Sequence, residues 1–361
     1  MLTTLEKYIN QEPDLLSNVY KNRKELSRPI VEFFRNNTIK EIYILGSGTS
    51  HHASILAKFY LEKYLQVEVD VVIPTIFTNY ININNNQKYD KSEIMCIAIS
   101  QTGTSRSTIM SLAEAQEKGY KTLVLTQNND SEIVKYADVV CDLHCGSEDV
   151  MVETKGYIVT IFTIYLWALE LSLSCNNLSL RDYECKCSEI RNMLLNYSKI
   201  ISESRKWCIS HISDFLRMKR GVITGYGLNY STALEAGMKL GESYRCPIQS
   251  YEMEEFMHGP DMALNSEFYI FLIVSEEKEL PRMKKFIEFY KKITNNVFVI
   301  SSVYESDIKK DLMISTPVNI DLTPLIYIVP FQLMASILAD AKDIDLINYP
   351  FNKDFSHSIN S

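Results

Sequence analysis

Short apolar runs alternate along the chain with amphipathic stretches. The clearest run, Ile94–Ile99, is apolar at every position, as in a strand that is buried on both faces of a parallel sheet. Another run, Glu41–Leu45, is followed by a glycine-rich turn and then by a helical pattern over 52–64. Further strands are predicted at 67–73 and 122–126, the second after a helix through 113–116. Strands that alternate with helices predict an α/β domain with a mostly parallel sheet.

The same pattern begins again in the second half of the chain. The sequence strand, Gly-x-Gly turn, helix occurs at Gly46 and again at Gly225, an offset of 179 residues. An offset this long is typical of a duplicated domain and not of a solenoid repeat. The fold predicted is therefore α/β, with two tandem three-layer α/β/α domains. In the second domain the sequence predicts a first strand at 221–224 and a first helix at 231–240. Three later strands are predicted at 268–275, 297–302 and 317–322.

The remaining segments set the predicted domain boundaries. Five parts are expected: a helical segment (1–35), the first domain (36–175), a helical linker (176–212), the second domain (213–340) and a tail (341–361). The longest apolar run, 158–169, lies between Lys155 and Glu170 and is too short to span a bilayer. We therefore expect a buried helix there and no membrane partner.

Composition narrows the class of protein. The chain has 361 residues, 46% hydrophobic, with 37 basic and 45 acidic side chains and a net charge of −8, which argues against a nucleic-acid binder. The first residues are charged where a signal peptide needs an apolar core. The eight cysteines are dispersed without a C-x-x-C pair, which favours reduced thiols over a zinc site. A soluble, cytoplasmic protein without a metal is expected.

Two loops carry the candidate chemistry of the first domain. Gly46 to Ser50 and Ser100 to Ser105 are rich in glycine and hydroxyl groups, follow strands and precede helices. Ligands of open α/β sheets bind beyond the carboxyl ends of the strands, and helix N-termini favour anions, so these loops predict a phosphate site. A dinucleotide fingerprint is a rival interpretation, but His51 stands where its third glycine belongs, although Asp70 could reach a ribose. A third interpretation is that both loops are ordinary tight turns that bind no ligand.

These loops resemble those of the SIS (sugar isomerase) domain family. Gly-Thr-Ser in the first loop and Ser-Gln-Thr-Gly in the second are similar to the isomerase half of glucosamine-6-phosphate synthase, the fructosamine-6-phosphate deglycases and the SIS-type amino-sugar deaminases. The resemblance extends from about residue 35 to the C-terminus. It implies that a sugar 6-phosphate is the substrate and that its phosphate and sugar are held by residues of both loops, namely Gly48, Thr49, Ser50, Ser100, Gln101, Thr102 and Ser105.

The second half contains a matching catalytic block. The resemblance implies that Glu242 moves protons between C1 and C2 of the sugar and that His258, sixteen residues later, opens the ring. In relatives this histidine reaches the neighbouring subunit's site, which implies a homodimer with its active site at the subunit interface. The chemistry itself needs a partly desolvated carboxylate and a group that titrates near neutrality. The alternatives are a solvated helix face for Glu242 and an ordinary loop histidine for His258. Glu235 and Lys239, four residues apart, also match residues of the family. The alternative interpretation is that they form only a surface salt bridge.

Three departures from the synthase bear on the reaction, and the one in the tail favours cleavage of a C–N bond. No glutaminase domain precedes the pair, so synthesis from glutamine is not expected. In the tail, which is expected to lie over the active site, His357 takes the place of the synthase's Schiff-base lysine, with Lys353 the nearest lysine. Glu153 replaces a serine of the sugar-contacting loop, where it would pair with a substrate amine, pair with Lys155 or face solvent.

Three functions remain open on the sequence. The first is an enzyme without a cofactor that releases an amine from an amino-sugar or fructosamine 6-phosphate, as a deaminase or deglycase. The second is an aldose–ketose phosphosugar isomerase that uses the same Glu242 and His258 without C–N cleavage. The third is a non-catalytic sugar-phosphate sensor, which is disfavoured because such modules are usually fused to a helix-turn-helix domain and none is present.

Overall fold

The computed structural model describes residues 3–303 and 310–351. The chain divides into two compact units. The first unit consists of Asp14–Glu148 and Lys155–Cys187, and the second of 3–13, Asp149–Thr154 and Ser188–Pro350.

Helices and strands alternate through the first half of the chain. In order they are α1 (Glu6–Ile9), α2 (Glu12–Lys21), α3 (Arg23–Leu26), α4 (Arg28–Asn36), β1 (Glu41–Leu45), α5 (Thr49–Leu65), β2 (Glu68–Val72), α6 (Pro74–Asn79), β3 (Ile94–Ile99), α7 (Arg106–Glu117), β4 (Lys121–Thr126), β5 (Val139–Asp142) and α8 (Lys155–Ser174). Short 3-10 helices occupy Lys91–Glu93 and Glu132–Tyr136.

The second half begins with a long helix and then repeats the alternation. Its elements are α9 (Leu180–Ser210), α10 (Ile212–Phe215), β6 (Gly221–Gly225), α11 (Asn229–Ser243), β7 (Ile248–Glu252), β8 (Tyr269–Val274), α12 (Leu280–Lys291), β9 (Val297–Ser301), β10 (Leu312–Met313), α13 (Thr323–Tyr327) and α14 (Val329–Ala341). Its 3-10 helices are Glu255–Met257, Pro260–Ala263, Glu277–Glu279 and Ile320–Leu322.

Each unit contains one five-stranded parallel sheet. The strand order is β2-β1-β3-β4-β5 in the first unit and β10-β9-β8-β6-β7 in the second. If the strands of each unit are numbered from the first strand of that unit, both sheets have the same order, 2-1-3-4-5. The central strands β3 and β8 are buried at every position, because helices cover both faces. The α/β fold and the duplication predicted from the sequence are confirmed.

The prediction of a strand at 317–322 was wrong. Residues Ile320–Leu322 form a 3-10 turn, which Asn319 caps by accepting a hydrogen bond from the backbone N–H of Asp321 (3.1 Å). A side chain that binds nearby backbone competes with a strand ladder, so these residues form a turn that leads into α13. The edge strands β5, β7 and β10 were not predicted, because they are short or carry several polar residues.

Two apolar helical stretches belong to the protein interior. By length and composition alone, two stretches could cross a membrane, namely Lys155–Ser174 and Ile320–Ala341. The first is longer than the apolar run 158–169 from which it was predicted. Almost every residue of both stretches is buried inside the protein. They are core helices, as expected for the first of them.

Candidate active site

The two hydroxyl-rich loops lie together at the switch point of the first sheet. The order β2-β1-β3 means that the connections from β1 and from β3 leave in opposite directions, which opens a crevice between their carboxyl ends. Leu45 pairs with Ala98, so the two strands end at nearly the same level. The loop after β1 and the loop after β3 therefore flank one crevice, and each leads into the N-terminus of a long helix, α5 or α7.

Glycine allows the first loop to fold tightly. A Cβ atom on Gly46 would lie 2.9 Å from the backbone of Ser50, closer than real Cβ contacts allow. Gly48 has a φ of +58° and is the N-cap residue of α5, so Thr49 and Ser50 form the first turn of that helix. This turn presents backbone N–H groups and hydroxyls, which is a suitable environment for a phosphate.

The second loop is shaped by its own hydroxyl groups. Gly103 has a φ of +67°, and a Cβ atom there would collide with the Ser131 hydroxyl at 1.9 Å. The hydroxyls of Thr102 and Thr104 share a hydrogen bond of 2.7 Å, and the Thr108 hydroxyl donates to that of Ser105 at 3.0 Å. Ser100 is buried, whereas Gln101, Thr102 and Ser105 are partly or fully exposed. All seven phosphate-loop candidates thus gather at one crevice: Gly48, Thr49, Ser50, Ser100, Gln101, Thr102 and Ser105.

The equivalent crevice of the second unit has a different chemistry. It lies between β6 and β8, where Gly227 has a φ of +56°. A Cβ atom on Gly227 would come within 3.1 Å of a carboxylate oxygen of Glu276. Glu276 in turn lies 3.6 Å from the ammonium of Lys278. A carboxylate at this position disfavours an anion, so a phosphate is favoured at the crevice of the first unit.

Helix α11 of the second unit carries a buried charged cluster. Glu235, Lys239 and Glu242 lie on one face of the helix because they are four and three residues apart. The Lys239 ammonium lies 3.3 Å from a carboxylate oxygen of Glu235 and donates a hydrogen bond of 3.0 Å to Glu242. Lys239 and Glu235 are each 1% exposed, so the surface salt bridge considered from the sequence is wrong. Glu242, in contrast, is 40% exposed and available to a ligand.

Glu153 adds a third carboxylate to this cluster. Burial alone lowers the pKa of Lys239, but Glu235, Glu242 and Glu153 together outweigh that effect and hold the pKa above its ordinary value. The lysine therefore remains an ammonium ion. Its positive charge links Glu153 to the carboxylates of Glu235 and Glu242.

The loop that bears Glu153 is attached to the second unit by hydrogen bonds. The side chain of Gln332 on α14 donates to the carbonyl of Thr154 (3.1 Å). Upstream, the N–H of Met151 donates to the carbonyl of Leu346 (2.8 Å). Helix α14 packs along α11, so this attachment brings Glu153 to the side of the second unit that carries Lys239.

His258 lies on an exposed turn of the same unit. It follows the 3-10 helix Glu255–Met257 and precedes Gly259, whose φ is +122°. Nearby, Arg282 donates two hydrogen bonds to the Glu254 carboxylate, at 2.8 and 2.7 Å. Arg282 chiefly, with a smaller contribution from His258, lowers the pKa of Glu254. In the described part of the chain, Glu242 and His258 share no hydrogen bond or ion pair.

The two tail candidates, His357 and Lys353, lie outside the described residues. Sequence reasoning also missed two residues beside the phosphate loop, Gln127 and Cys145, which contact Gln101 or its neighbours. Gln127 directly follows β4, and a position just after the carboxyl end of a parallel strand was the available signal for it.

Comparison with known proteins agrees with this architecture. A model of the SIS domain matches residues 37–170 and 215–339. The chain belongs to the SIS domain family. It is 25% identical over 346 residues, 94% of its length, to the glutamine–fructose-6-phosphate aminotransferase of Caldanaerobacter subterraneus, of which it covers 54%. The chain thus spans about half the length of the curated relatives it matches.

Two solved structures superpose on most of the chain. A Clostridium difficile protein described as a phosphosugar isomerase is 26% identical, with a TM-score of 0.90 and coverage of 99% of this chain and 98% of that one. The C-terminal domain of glucosamine–fructose-6-phosphate aminotransferase from Francisella tularensis is 21% identical, with a TM-score of 0.81 and coverage of 95% and 97%. The second likeness shows the fold alone.

Proposed function

We propose that this SIS protein is an enzyme that releases an amine from an amino-sugar or fructosamine 6-phosphate. The observation that carries the proposal is the cluster on α11, where an exposed carboxylate, Glu242, is held by a buried ammonium, Lys239. A carboxylate fixed in this way is suited to take a proton from a carbon next to a carbonyl group. The hydroxyl-rich crevice of the first unit supplies the phosphate anchor.

The proposed reaction combines ring opening, a proton shift between C1 and C2, and hydrolysis by one water. His258 assists ring opening because imidazole both donates and accepts a proton near neutral pH. Glu242 then removes the proton from one of C1 and C2 and returns it to the other, which converts the amine of the substrate into an imine. Water hydrolyses the imine to a carbonyl, so the products are a hexose 6-phosphate and the free amine.

Glu153 favours cleavage over plain isomerisation. Its carboxylate lies near the Lys239 ammonium, in the cluster that also contains Glu242. A carboxylate stabilises a protonated amine on the substrate more strongly than a neutral hydroxyl at the same place. We therefore assign Glu153 to recognition of the nitrogen. Plain aldose–ketose isomerisation needs only Glu242 and His258.

Proton exchange with solvent tests the catalytic assignment. Substrate recovered from D2O is expected to carry deuterium at C1 or C2 with the wild-type protein and not with Glu242→Gln, which keeps the size of the side chain but removes the base. A sensor protein would bind the sugar phosphate and exchange no proton. Exchange without amine release would leave the isomerase as the function.

We also propose that the enzyme acts in the cytoplasm and as a homodimer. All eight cysteines are free thiols, which supports a reducing compartment such as the cytoplasm. Relatives in which the histidine at the position of His258 completes the neighbouring site suggest a homodimer. A molar mass near twice 41.6 kDa by light scattering would support the dimer, and a monomeric mass with full activity would refute it.

A further inference from the structure

Cys145 is held in place next to the second phosphate loop. Its thiol is completely buried. The side-chain oxygen of Gln127 accepts three hydrogen bonds from this segment, from the N–H of Cys145 (2.7 Å), the N–H of Gly146 (2.9 Å) and the Cys145 thiol (3.1 Å). One glutamine therefore fixes both the backbone and the sulfur of Cys145.

Gln101, in the phosphate loop, is fixed by the same group of residues. Its backbone carbonyl accepts hydrogen bonds from the N–H of Gln127 (2.9 Å) and from the Thr126 hydroxyl (3.2 Å). Its side-chain amide donates to the sulfur of Cys145 at 3.5 Å, a normal distance for a bond to sulfur. The backbone of Gln101 is thus bound to the end of β4, and its side chain to the segment after β5.

We propose that Cys145 is a positioning residue, whose sulfur orients the Gln101 amide for the sugar phosphate. A free glutamine side chain loses rotamer entropy when it is immobilised. A side chain that is already oriented avoids part of this cost when the ligand binds. The inference rests on the proposed function only in so far as Gln101 contacts the sugar phosphate.

Substitutions at Cys145 separate orientation from folding. Cys145→Ala removes the sulfur and keeps both backbone hydrogen bonds to Gln127. It is expected to weaken binding of fructose 6-phosphate, measured by calorimetry, by about threefold to tenfold. Cys145→Ser restores a group that accepts from Gln101 and donates to Gln127, and is expected to bind within about twofold of wild type. The matched control is Cys141→Ala, which removes another buried thiol nearby. Its affinity for fructose 6-phosphate is expected to equal that of wild type.

The decisive readout is a double-mutant cycle with Gln101→Ala. If Cys145 acts through Gln101, adding Cys145→Ala to Gln101→Ala causes no further loss of affinity. Additive losses, or a loss in Cys145→Ser equal to that in Cys145→Ala, would overturn the inference. If Cys145→Ala does not fold, Gln127→Ala takes its place in the same cycle.

The outcome also separates this inference from the proposed function. Wild-type protein that binds fructose 6-phosphate but releases no amine refutes only the cleavage reaction, and the cycle still decides the role of Cys145. Wild-type protein with no affinity for the sugar phosphate refutes both.

Discussion

Lys239 and Glu235 form an ion pair of 3.3 Å in which both side chains are almost completely buried. Burial of two charges is costly, so such a pair is by itself weak evidence for a gain in stability. Here the same ammonium also binds Glu242, the exposed carboxylate of the cluster. We infer that the pair fixes the position of Glu242 on α11.

Removal of the lysine is therefore expected to destabilise the protein strongly. Lys239→Met leaves Glu235 buried without its cation, which is expected to cost about 3–5 kcal/mol in the free energy of unfolding, measured by urea denaturation. The control is Lys199→Met, in which an exposed lysine 3.9 Å from the partly buried Glu203 is removed, and about 0.5 kcal/mol or less is expected there. Equal losses in the two variants would contradict the role given to Lys239.

Glu153 is expected to determine the preference for an amine. The probes are the reduced sugars 2-amino-2-deoxyglucitol 6-phosphate and glucitol 6-phosphate, which have no carbonyl and so cannot react. Wild type is expected to bind the amine about tenfold more tightly, the effect of one charge-assisted hydrogen bond. Glu153→Ser is expected to lose this preference and keep its affinity for glucitol 6-phosphate, as measured by calorimetry.

A control variant removes a negative charge elsewhere in the same unit. Glu267, paired with Arg220 at 3.4 Å, is exposed, and Glu267→Ser is expected to keep the wild-type preference. An unchanged preference in Glu153→Ser would show that Glu153 does not recognise the nitrogen.

Glu6 is expected to make stability depend on pH in acid. Its buried carboxylate accepts hydrogen bonds from the N–H of Thr3 (2.8 Å) and from Arg205 (2.6 Å). Burial raises the pKa of Glu6, but these hydrogen bonds outweigh it and the net pKa is lowered. Because the folded pKa lies below the unfolded value of about 4.3, the stabilisation is present above that pH and is lost as the pH falls through the folded pKa.

The variant Glu6→Gln tests this dependence. At pH 7 it is expected to be about 1–3 kcal/mol less stable than wild type in urea, since a hydrogen bond to a charged group is replaced by a neutral one. The difference is expected to shrink as the pH falls below 4. A difference that stays constant from pH 7 to pH 3 would contradict the lowered pKa of Glu6.

The sequence predicted the central strands and the two glycine-containing turns after β1 and β3 well because burial and turn chemistry are local signals. Ile94–Ile99 is apolar throughout, and it is buried throughout. Edge strands such as Ile248–Glu252 mix polar and apolar residues, since only part of each is covered, and they gave no clear signal. Residues 317–322 looked like a strand because apolar content alone does not reveal the cap that Asn319 provides.

The burial of the charged cluster on α11 could not be predicted from the sequence. Glu235 and Lys239 are four residues apart, a spacing that occurs equally on exposed and buried helix faces. Their burial depends on the helices packed against α11, which the local sequence does not encode. The contact between Gln101 and Cys145 joins residues 44 positions apart, and no local pattern could indicate it.

Amine release tests the central claim most directly. Purified protein is incubated with glucosamine 6-phosphate and, separately, with a panel of fructosamine 6-phosphates, and ammonia, free amine and hexose 6-phosphate are measured, with Glu242→Gln as the control. We expect equal amounts of amine and hexose 6-phosphate from at least one substrate, and a loss of about a hundredfold or more in the control. No amine from any substrate, with binding of the sugar phosphates intact, would contradict C–N cleavage.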